Sequence, residues 1–386
     1  MNSELIRNDF PILKTKVGGH QIVYFDNAAT TQRPLPVVNA VLDYTTHENG
    51  NPHRGAHIFA ISASEAYDTS KEVVRDFIHA RSEKEIIYTR NTSESLNLVA
   101  RSYGETHLKA GDHILITIAE HHSNLVTWQR VAQKTGATLD YIYVDKKTGH
   151  FPEEELKKID DPRVKLFAFA EVSNVLGIDF DPKPLIQRAP AHGATVVLDG
   201  AQSTPHKPVD VQDLDCDFFA FSGHKMCSMG GIGVLYGKEE LLNDMEPFLM
   251  GGDMIEDVHE QETTYAELPA KFEAGTQYVE GAVSLVAVIR YIQAIGFDEI
   301  RAQEKRLVTR CLEGMKKLPF IHIIGPTDPE EKEGLVAFEV EGVHPHDVAQ
   351  ILSAEGICIR TGHHCAQPLH IYLGINASCR ASFYFY

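Results

Sequence analysis

Two stretches of the chain decide its fold: Ala194-Thr-Val-Val-Leu-Asp199-Gly-Ala-Gln202 and, one strand later, Phe218-Phe-Ala-Phe-Ser222-Gly223-His224-Lys225. Each is a short apolar run that leads into a charged side chain. Runs that are apolar nearly throughout are typical of strands buried on both faces of a mostly parallel sheet. Catalytic residues of such open sheets collect where the strands end. The pattern predicts that Asp199 and Lys225 lie together at one sheet edge, as a functional pair or as a structural ion pair.

Similar runs alternate with helical patterns through the middle of the chain, which indicates an α/β fold. Ser62 and Glu65 have the spacing of a capping box and predict a helix over 64–80, and a second helix is predicted over 125–134. The candidate strands are 113–118, 139–144, 164–170, 195–199, 216–222 and 232–236.

The pattern changes near Gly281. Helices are predicted over 283–294 and 298–318, then a strand over 335–340, a helix that begins at Pro345, and a short strand over 357–360. We therefore expect a large α/β domain over 15–280 and a smaller α+β domain over 281–386. The first fourteen residues are expected to pack on the smaller domain.

Composition excludes several classes of protein. The 386 residues carry 36 Lys and Arg against 54 Asp and Glu, a net charge of −18, which disfavours a nucleic-acid or anionic-membrane surface. Six cysteines form no CxxC pair, and the N-terminal residues lack the apolar stretch of a signal peptide. These features predict a soluble, cytoplasmic protein in reducing surroundings.

A third motif, Asn91-Thr92-Ser93-Glu94, stands between a candidate strand over 86–89 and a helical pattern. Hydroxyls and backbone N–H groups at a helix N-terminus suit a phosphate, although an ordinary N-cap has the same residues. A phosphate site, a buried carboxylate and a lysine together fit pyridoxal 5'-phosphate (PLP).

The chain resembles the group II, SUF-system cysteine desulfurases, which belong to the class V aminotransferase branch of the fold-type I PLP enzymes. The resemblance implies a mostly parallel seven-stranded sheet in the large domain, and some relatives act as selenocysteine lyases. It covers the chain from about residue 7 and rests on Tyr24-Phe-Asp-Asn-Ala-Ala-Thr30, Glu120-His-His-Ser-Asn124, Val197-Val-Leu-Asp-Gly-Ala-Gln202, Ser222-Gly-His-Lys225 and Arg360-Thr-Gly-His-His-Cys-Ala-Gln-Pro368.

The resemblance implies roles around the cofactor. Lys225 would bind PLP covalently and later move the Cα proton of the substrate, and Asp199 would keep the pyridine nitrogen protonated. His122 would stack on the ring and relay a proton, and Gln202 would reach the phenolic oxygen. The phosphate would be held by Thr92, Ser93, Ser222 and His224, with Thr276 completing the phosphate site of the partner subunit in a homodimer.

The same resemblance assigns the substrate side. Arg360 would grip the α-carboxylate of L-cysteine, and Arg380 matches a second arginine near the substrate, with a surface arginine as the alternative. Asn174 would contact cofactor and substrate. Cys365 would take the substrate sulfur as a persulfide, and the alternative is a buried cysteine that only packs in the core.

Other interpretations of the residues stay open at this point. His363, His364 and Cys365, with His344 or His346, are side-chain types that zinc accepts, but adjacent residues rarely converge on one ion. We expect no intrinsic metal site, while His346 could contact a zinc-bearing acceptor transiently. The chain also departs from its relatives at Met226-Cys227-Ser228-Met229, where they usually have an aromatic residue and a Gly-Pro turn.

The predicted activity is a PLP-dependent cysteine desulfurase that forms L-alanine and passes sulfur from Cys365 to a SufU- or SufE-like acceptor protein for Fe–S cluster assembly. A selenocysteine lyase or another class V aminotransferase activity is the alternative enzyme, and a non-catalytic scaffold of the same fold is the alternative from another class.

Overall fold

Seven strands form the central sheet of the computed structural model, which describes residues 3–53, 55–189 and 193–386. The side chains of six of them are buried almost throughout, as their apolar sequences predict, whereas in the edge strand Thr138–Ile142 only Ile142 is buried. The strands are β1 Ile86–Thr89, β2 His113–Thr117, β3 Thr138–Ile142, β4 Val164–Ala170, β5 Thr195–Asp199, β6 Phe218–Ser222 and β7 Gly233–Gly237.

The strand order is β1-β7-β6-β5-β4-β2-β3. Strands β6, β5, β4, β2 and β3 are parallel to one another, and β7 is antiparallel to both β6 and β1. Because β4, β5 and β6 run side by side in one direction, their carboxyl ends meet at a single edge of the sheet. The residues that follow Ala170, Asp199 and Ser222 therefore share one region of space.

Helices cover the sheet and connect its strands. Helix α3 begins at Ile58, where the His57 ring accepts a hydrogen bond from the Ala60 N–H, so the capping box predicted at Ser62 is wrong. The helices are α1 Ser3–Arg7, α2 Leu35–His47, α3 Ile58–Ile78, α4 Thr92–Val99, α5 Glu105–His107, α6 Val126–Thr135, α7 Glu153–Leu156, α8 Pro182–Arg188, α9 Val211–Leu214, α10 Glu239–Asp244, α11 Val279–Ile295, α12 Phe297–Met315, α13 Pro345–Ala354 and α14 Gln367–Leu373.

A second, antiparallel sheet lies in the C-terminal part of the chain. Its strands are β8 Ile321–Ile324, β9 Leu335–Val340, β10 Arg360–Gly362 and β11 Ser378–Ser382, in the order β8-β9-β11-β10. The predicted strand over 357–360 is two pieces, because Ile357–Cys358 pairs in parallel with Val23–Tyr24 instead of joining this sheet. The N-terminal segment is thereby tied to the chain just before β10, and β10 leads into the loop over 362–366 that carries Cys365, the cysteine loop.

Contacts between the two parts of the chain are extensive. Helix α11 packs on α2 and α3. Near the N-terminus, Phe10 stacks against Tyr386 and meets Tyr291 and Phe385 edge-on. The boundary at residue 280 remains a prediction.

Within the described residues, no single helix is both long and apolar enough to cross a membrane. The pair α11 and α12 passes that test only when taken together, and it is bent by 76° at the break.

Candidate active site

All but two of the predicted site residues line one cavity, of about 210 Å³, at the carboxyl edge of the central sheet. Loops after β4, β5 and β6 form its floor, and residues of β10, β11 and the loop between them close it from the side. The predicted residues that line it are Thr92, Ser93, Asn174, Asp199, Gln202, Ser222, His224, Lys225, Arg360, Cys365 and Arg380.

Lys225 and Asp199 occupy neighbouring strand ends, as the sequence predicts. Burial lowers the pKa of Lys225 to about 8; Asp199 opposes this shift, and the Arg380 and Arg360 guanidinium groups contribute to it. Asp199 is 5% exposed and accepts a hydrogen bond from the Ala201 N–H at 2.9 Å. Its pKa is raised by burial, while Lys225 acts in the opposite direction. A buried carboxylate needs a facing cation or hydrogen-bond donors, and the protonated pyridine nitrogen of PLP would supply such a group.

The N-terminus of α4 forms one wall of the cavity. Asn91 caps the helix by accepting a hydrogen bond from the Glu94 N–H at 3.1 Å. The Ser222 hydroxyl oxygen accepts from the Thr92 N–H at 2.8 Å and lies 2.7 Å from the Thr92 hydroxyl, which joins the helix to the end of β6. These hydroxyls, with Ser93, are the donors that a phosphate at a helix N-terminus uses.

His121, and not His122, lies against the cavity, so the prediction for His122 is corrected to its neighbour. A 3₁₀ turn, His122–Asn124, begins one residue later and turns the His122 ring toward the cysteine loop. The His121 Nδ1 accepts a hydrogen bond from the Ser123 N–H at 3.1 Å. Burial, with a smaller contribution from Lys225, lowers the pKa of His121 to about 3, so the ring is neutral with its proton on Nε2.

A buried network of side-chain hydrogen bonds lies behind His121, and the sequence motifs alone do not identify it. Glu120 accepts hydrogen bonds from the Thr117 hydroxyl at 2.5 Å and the Asn124 amide at 2.7 Å, and Asn124 accepts one from the Trp128 indole at 2.8 Å. Burial raises the pKa of Glu120 to about 8. The signal was present in the sequence, because Glu120 and Asn124 flank the two histidines, but their contacts depend on the fold.

Two arginines converge on the side opposite the sheet. Arg380 is 1% exposed, which excludes the surface alternative, and it donates to the Asn174 carbonyl at 2.9 Å and pairs with Asp26 at 3.4 Å. Burial lowers the pKa of Arg380 to about 10; Asp26 opposes this shift, and Arg360 contributes to it. Arg360 Nη2 donates to Cys365 Sγ at 3.7 Å. Guanidinium groups at such a wall are of the kind that bind carboxylates.

Cys365 lies on a loop, residues 362–366, that we call the cysteine loop. The thiol is half-buried and lines the cavity, so it is not a core cysteine. His364 and Cys365 both have left-handed backbone angles, with φ of 49° and 58°, which non-glycine residues rarely adopt. Such strain persists only where surrounding contacts hold it, and here the Asn174 amide donates to the His364 carbonyl at 2.6 Å.

The residues present fit PLP. The cavity is lined by a helix N-terminus with hydroxyls, by a buried carboxylate and by Lys225. The lowered pKa of Lys225 leaves part of its amine neutral, and the neutral amine can attack an aldehyde. Two lining side chains also keep buried nitrogens without a partner among the described residues: Nε of Arg380 and Nδ1 of His364. Orphaned polar atoms beside a cavity are expected where a polar ligand completes the site.

The departure after Lys225 is accommodated by packing. Met226 and Cys227 are fully buried, and Cys227 has a left-handed backbone, with φ of 68°, that donates its N–H to the Thr31 hydroxyl at 2.7 Å. The Ser228 hydroxyl lies 2.6 Å from that of Ser284 on α11. The turn that holds Lys225 is therefore fixed from two sides without the aromatic residue and the Gly-Pro turn.

Thr276 lies outside this cavity. It lines a separate groove with Arg90, Glu94, Leu249 and Tyr278. Within the part of the chain that the structure describes, no three His, Cys, Asp or Glu side chains are placed to hold a metal ion together.

Comparison with known proteins agrees with this architecture. The family model for class-V aminotransferases matches residues 23–386. The chain belongs to the class-V aminotransferase family. Members are PLP enzymes of fold type I, which is the fold described above.

Full-length relatives of this class-V aminotransferase are cysteine desulfurases. A probable cysteine desulfurase of Halalkalibacterium halodurans is 47% identical over 386 residues, which span all of this chain and 94% of the relative. Among solved structures, an apo cysteine desulfurase of Thermococcus onnurineus matches with a TM-score of 0.94 at 44% identity, over 99% of this chain and 93% of the other. An Escherichia coli cysteine desulfurase matches with a TM-score of 0.90 at 36% identity, over 100% and 94%. Within its family, the chain falls among the cysteine desulfurases.

Proposed function

We propose that this cysteine desulfurase transfers the sulfur of L-cysteine to Cys365 and passes it from there to an acceptor protein for Fe–S cluster assembly. The observation that carries the proposal is the presence of Lys225 and Cys365 on the wall of one cavity, which Arg360 and Arg380 also line. An aminotransferase without sulfur chemistry has no use for a thiol at that place.

Bound PLP supplies an electron sink that makes the Cα proton of an amino acid acidic. Thr92, Ser93, Ser222 and His224 would hold its phosphate, Asp199 its ring nitrogen and Gln202 its phenolic oxygen. Lys225, whose pKa is about 8, is suited to take and return the Cα proton near neutral pH. Arg360 and Arg380 would orient the substrate carboxylate.

The sulfur step involves the thiol of Cys365. As its S–H proton leaves, Cys365 Sγ forms an S–S bond with the substrate sulfur, and the substrate Cβ–S bond breaks. The three-carbon product takes a proton at Cβ, for which His121 carries a suitable N–H, and leaves as L-alanine. The net reaction converts cysteine and a thiol into alanine and a persulfide, so atoms and electrons balance without an added oxidant.

The test is turnover of L-cysteine by the purified holoenzyme. Alanine and a persulfide on Cys365 are expected, and Cys365→Ala should lose alanine formation from cysteine by at least about 100-fold, since a nucleophile is removed. Equal turnover by wild type and Cys365→Ala would contradict the nucleophile. Transfer of the amino group to a keto acid would indicate the alternative activity.

We also propose that the enzyme is a homodimer in which Thr276 completes the phosphate site of the partner subunit. The support is its position, in a groove apart from the cavity of its own chain, beside exposed apolar side chains such as Leu249 and Met250. Exposed apolar clusters commonly mark interfaces.

The acceptor protein is proposed to dock beside the cysteine loop. His346, the residue proposed for a transient zinc contact, is exposed at the start of α13. A reducing, cytoplasmic location fits the six cysteines, all of which are unpaired.

A further inference from the structure

His122 makes two hydrogen bonds to the backbone, one at Cys365 and one just after it. Its backbone N–H donates to the Cys365 carbonyl at 2.6 Å, and its ring Nε2 accepts a hydrogen bond from the Gln367 N–H at 3.0 Å. The first hydrogen bond is at the carbonyl of Cys365 itself. The second lies two residues later, at the first residue of α14. Among the described residues, His122 alone hydrogen-bonds to both Cys365 and Gln367.

The second contact fixes the chemical state of the ring. Because the Gln367 backbone can only donate, Nε2 of His122 must carry a lone pair, and the neutral ring holds its proton on Nδ1. Burial lowers the pKa of His122, and His363 lowers it further, so the neutral form is the ordinary one. A protonated ring would present an N–H to another N–H, and the contact would become repulsive.

The cysteine loop needs such a restraint. His364 and Cys365 are held in left-handed backbone conformations, which relax when the contacts around them are released. The loop is held on the cavity side by Asn174 and through the His364 ring, whose Nε2 lies 3.0 Å from the Ser378 hydroxyl. His122 supplies the restraint on the other side.

The groups that face His122 are few. From the cysteine loop, His363 is the charged neighbour that acts on the His122 ring. From its own turn, the His121 ring lies with its centroid 6.4 Å away. His363 is therefore the neighbour that resists protonation of His122, and its substitution serves as a control.

We propose that His122 is a positioning residue that holds the cysteine loop over the cavity through these two hydrogen bonds, and that only the neutral imidazole makes the second. The expected effect of His122 on turnover rests on the sulfur transfer to Cys365 proposed above. Its expected effect on the order of the cysteine loop does not depend on that reaction.

The test compares holoenzymes of wild type, His122→Leu, His122→Gln and His363→Gln. Backbone hydrogen exchange is followed in a peptide over 361–369 from pH 5.5 to 8.5, with correction for intrinsic exchange. His122→Leu should exchange about tenfold faster at pH 7.5, because one hydrogen-bond acceptor is lost. Its kcat for alanine formation should fall by a similar factor, with an unchanged KM for cysteine.

His122→Gln supplies an amide oxygen as acceptor but no titrating ring. It should protect the peptide as wild type does at pH 7.5 and keep that protection as the pH is lowered. Wild type should lose protection once the His122 ring is protonated, and His363→Gln, which lacks the neighbour that lowers the pKa of His122, should lose it at a higher pH than wild type. Equal exchange in wild type and His122→Leu, or equal loss of protection at low pH in wild type and His122→Gln, would overturn the proposal. If no variant formed alanine while the exchange pattern held, the proposed reaction would fail and the role of His122 would stand.

Discussion

Lys225 is the residue whose chemistry depends most on its surroundings. An exposed lysine is almost entirely protonated at neutral pH, whereas a pKa of about 8 leaves roughly a tenth of the amine free at pH 7. Burial at the end of β6 and the nearby guanidinium groups cause this shift, and Asp199 limits it.

The pH dependence of PLP uptake follows from that pKa. Only the neutral amine attacks an aldehyde, so the rate at which apo-enzyme rebinds PLP covalently should rise with pH and level off above about 8. In Asp199→Asn, the anion that supports the ammonium form is gone, and the midpoint should move to lower pH. The measurement is the growth of the cofactor absorbance after mixing. A midpoint near the ordinary value of lysine would contradict the prediction.

At the scale of elements, a buried ion pair fixes the segment that carries Thr276. Lys71 of α3 pairs with Glu273, and both side chains are 5% exposed. Glu273 also accepts hydrogen bonds from the Tyr67 hydroxyl at 2.7 Å and the Tyr88 N–H at 2.6 Å. Burial lowers the pKa of Lys71, and Glu273 opposes that shift. Helix α3, strand β1 and the segment after Phe272 are thereby joined at one point.

Removal of one partner of this pair should be costly. Lys71→Met leaves the Glu273 carboxylate buried without its cation, and a loss of about 3–5 kcal/mol in the free energy of unfolding is expected. The matched control is Lys84→Met, which breaks the exposed pair with Glu267 and should change stability by less than about 1 kcal/mol. Urea denaturation of both variants checks the difference, and equal losses would show that burial does not set the value of the pair.

At the scale of the whole molecule, one short segment after β4 connects the two sheets. Residues of the smaller sheet and of the loop before β9 donate hydrogen bonds to three carbonyls of this segment. Arg380 donates to the carbonyl of Asn174, Lys332 Nζ to that of Leu176 at 2.9 Å, and the Glu333 N–H to that of Gly177 at 2.7 Å. Lys332 is 3% exposed and also donates to the Ile324 carbonyl at 2.9 Å. The position of the cysteine loop relative to Lys225 depends on this connection.

Lys332 should make the stability of the enzyme depend on pH. Burial lowers its pKa to about 7 in the folded protein, against 10.5 for an ordinary lysine. Between these values the unfolded chain binds more protons, so the free energy of unfolding should rise from pH 7 toward pH 10. Lys332→Met lacks this contribution, and the slope against pH should become shallower by an amount visible in urea titrations at pH 7, 8.5 and 9.5. The same slope in both proteins would show that Lys332 is protonated in the fold.

The proposed homodimer predicts complementation between two defective subunits. Lys225→Ala and Thr276→Val are each expected to be poorly active alone. When they are mixed and allowed to exchange subunits, a mixed dimer has one intact site if Thr276 acts across the interface, so recovery of about a quarter of wild-type activity is expected. Thr276→Ser, which keeps the hydroxyl, should be active by itself. Activity that stays at the sum of the separate variants would place Thr276 in the site of its own chain.

Much of the site could be predicted from short stretches of sequence. Asp199, Lys225 and the Thr92-Ser93 motif each follow a strand that its apolar run identifies, and parallel strands bring such positions to one edge. Helix α3 was predicted to begin six residues too late, because the imidazole cap at His57 and the exposed apolar residues after it do not form a standard start signal.

Residue types and short motifs are enough to predict the chemical groups of the site. They are a lysine and a carboxylate at strand ends, a hydroxyl-rich helix start, and a cysteine in a motif with glycine and histidines. The tertiary structure decided which of two adjacent histidines faces the cavity, that Arg380 is buried beside Asp26, and that Thr276 lies elsewhere. The physical reason is that residue types and local spacing set what a side chain can do. The direction of a ring at a 3₁₀ turn and the burial of a charge depend on contacts between segments far apart in the chain.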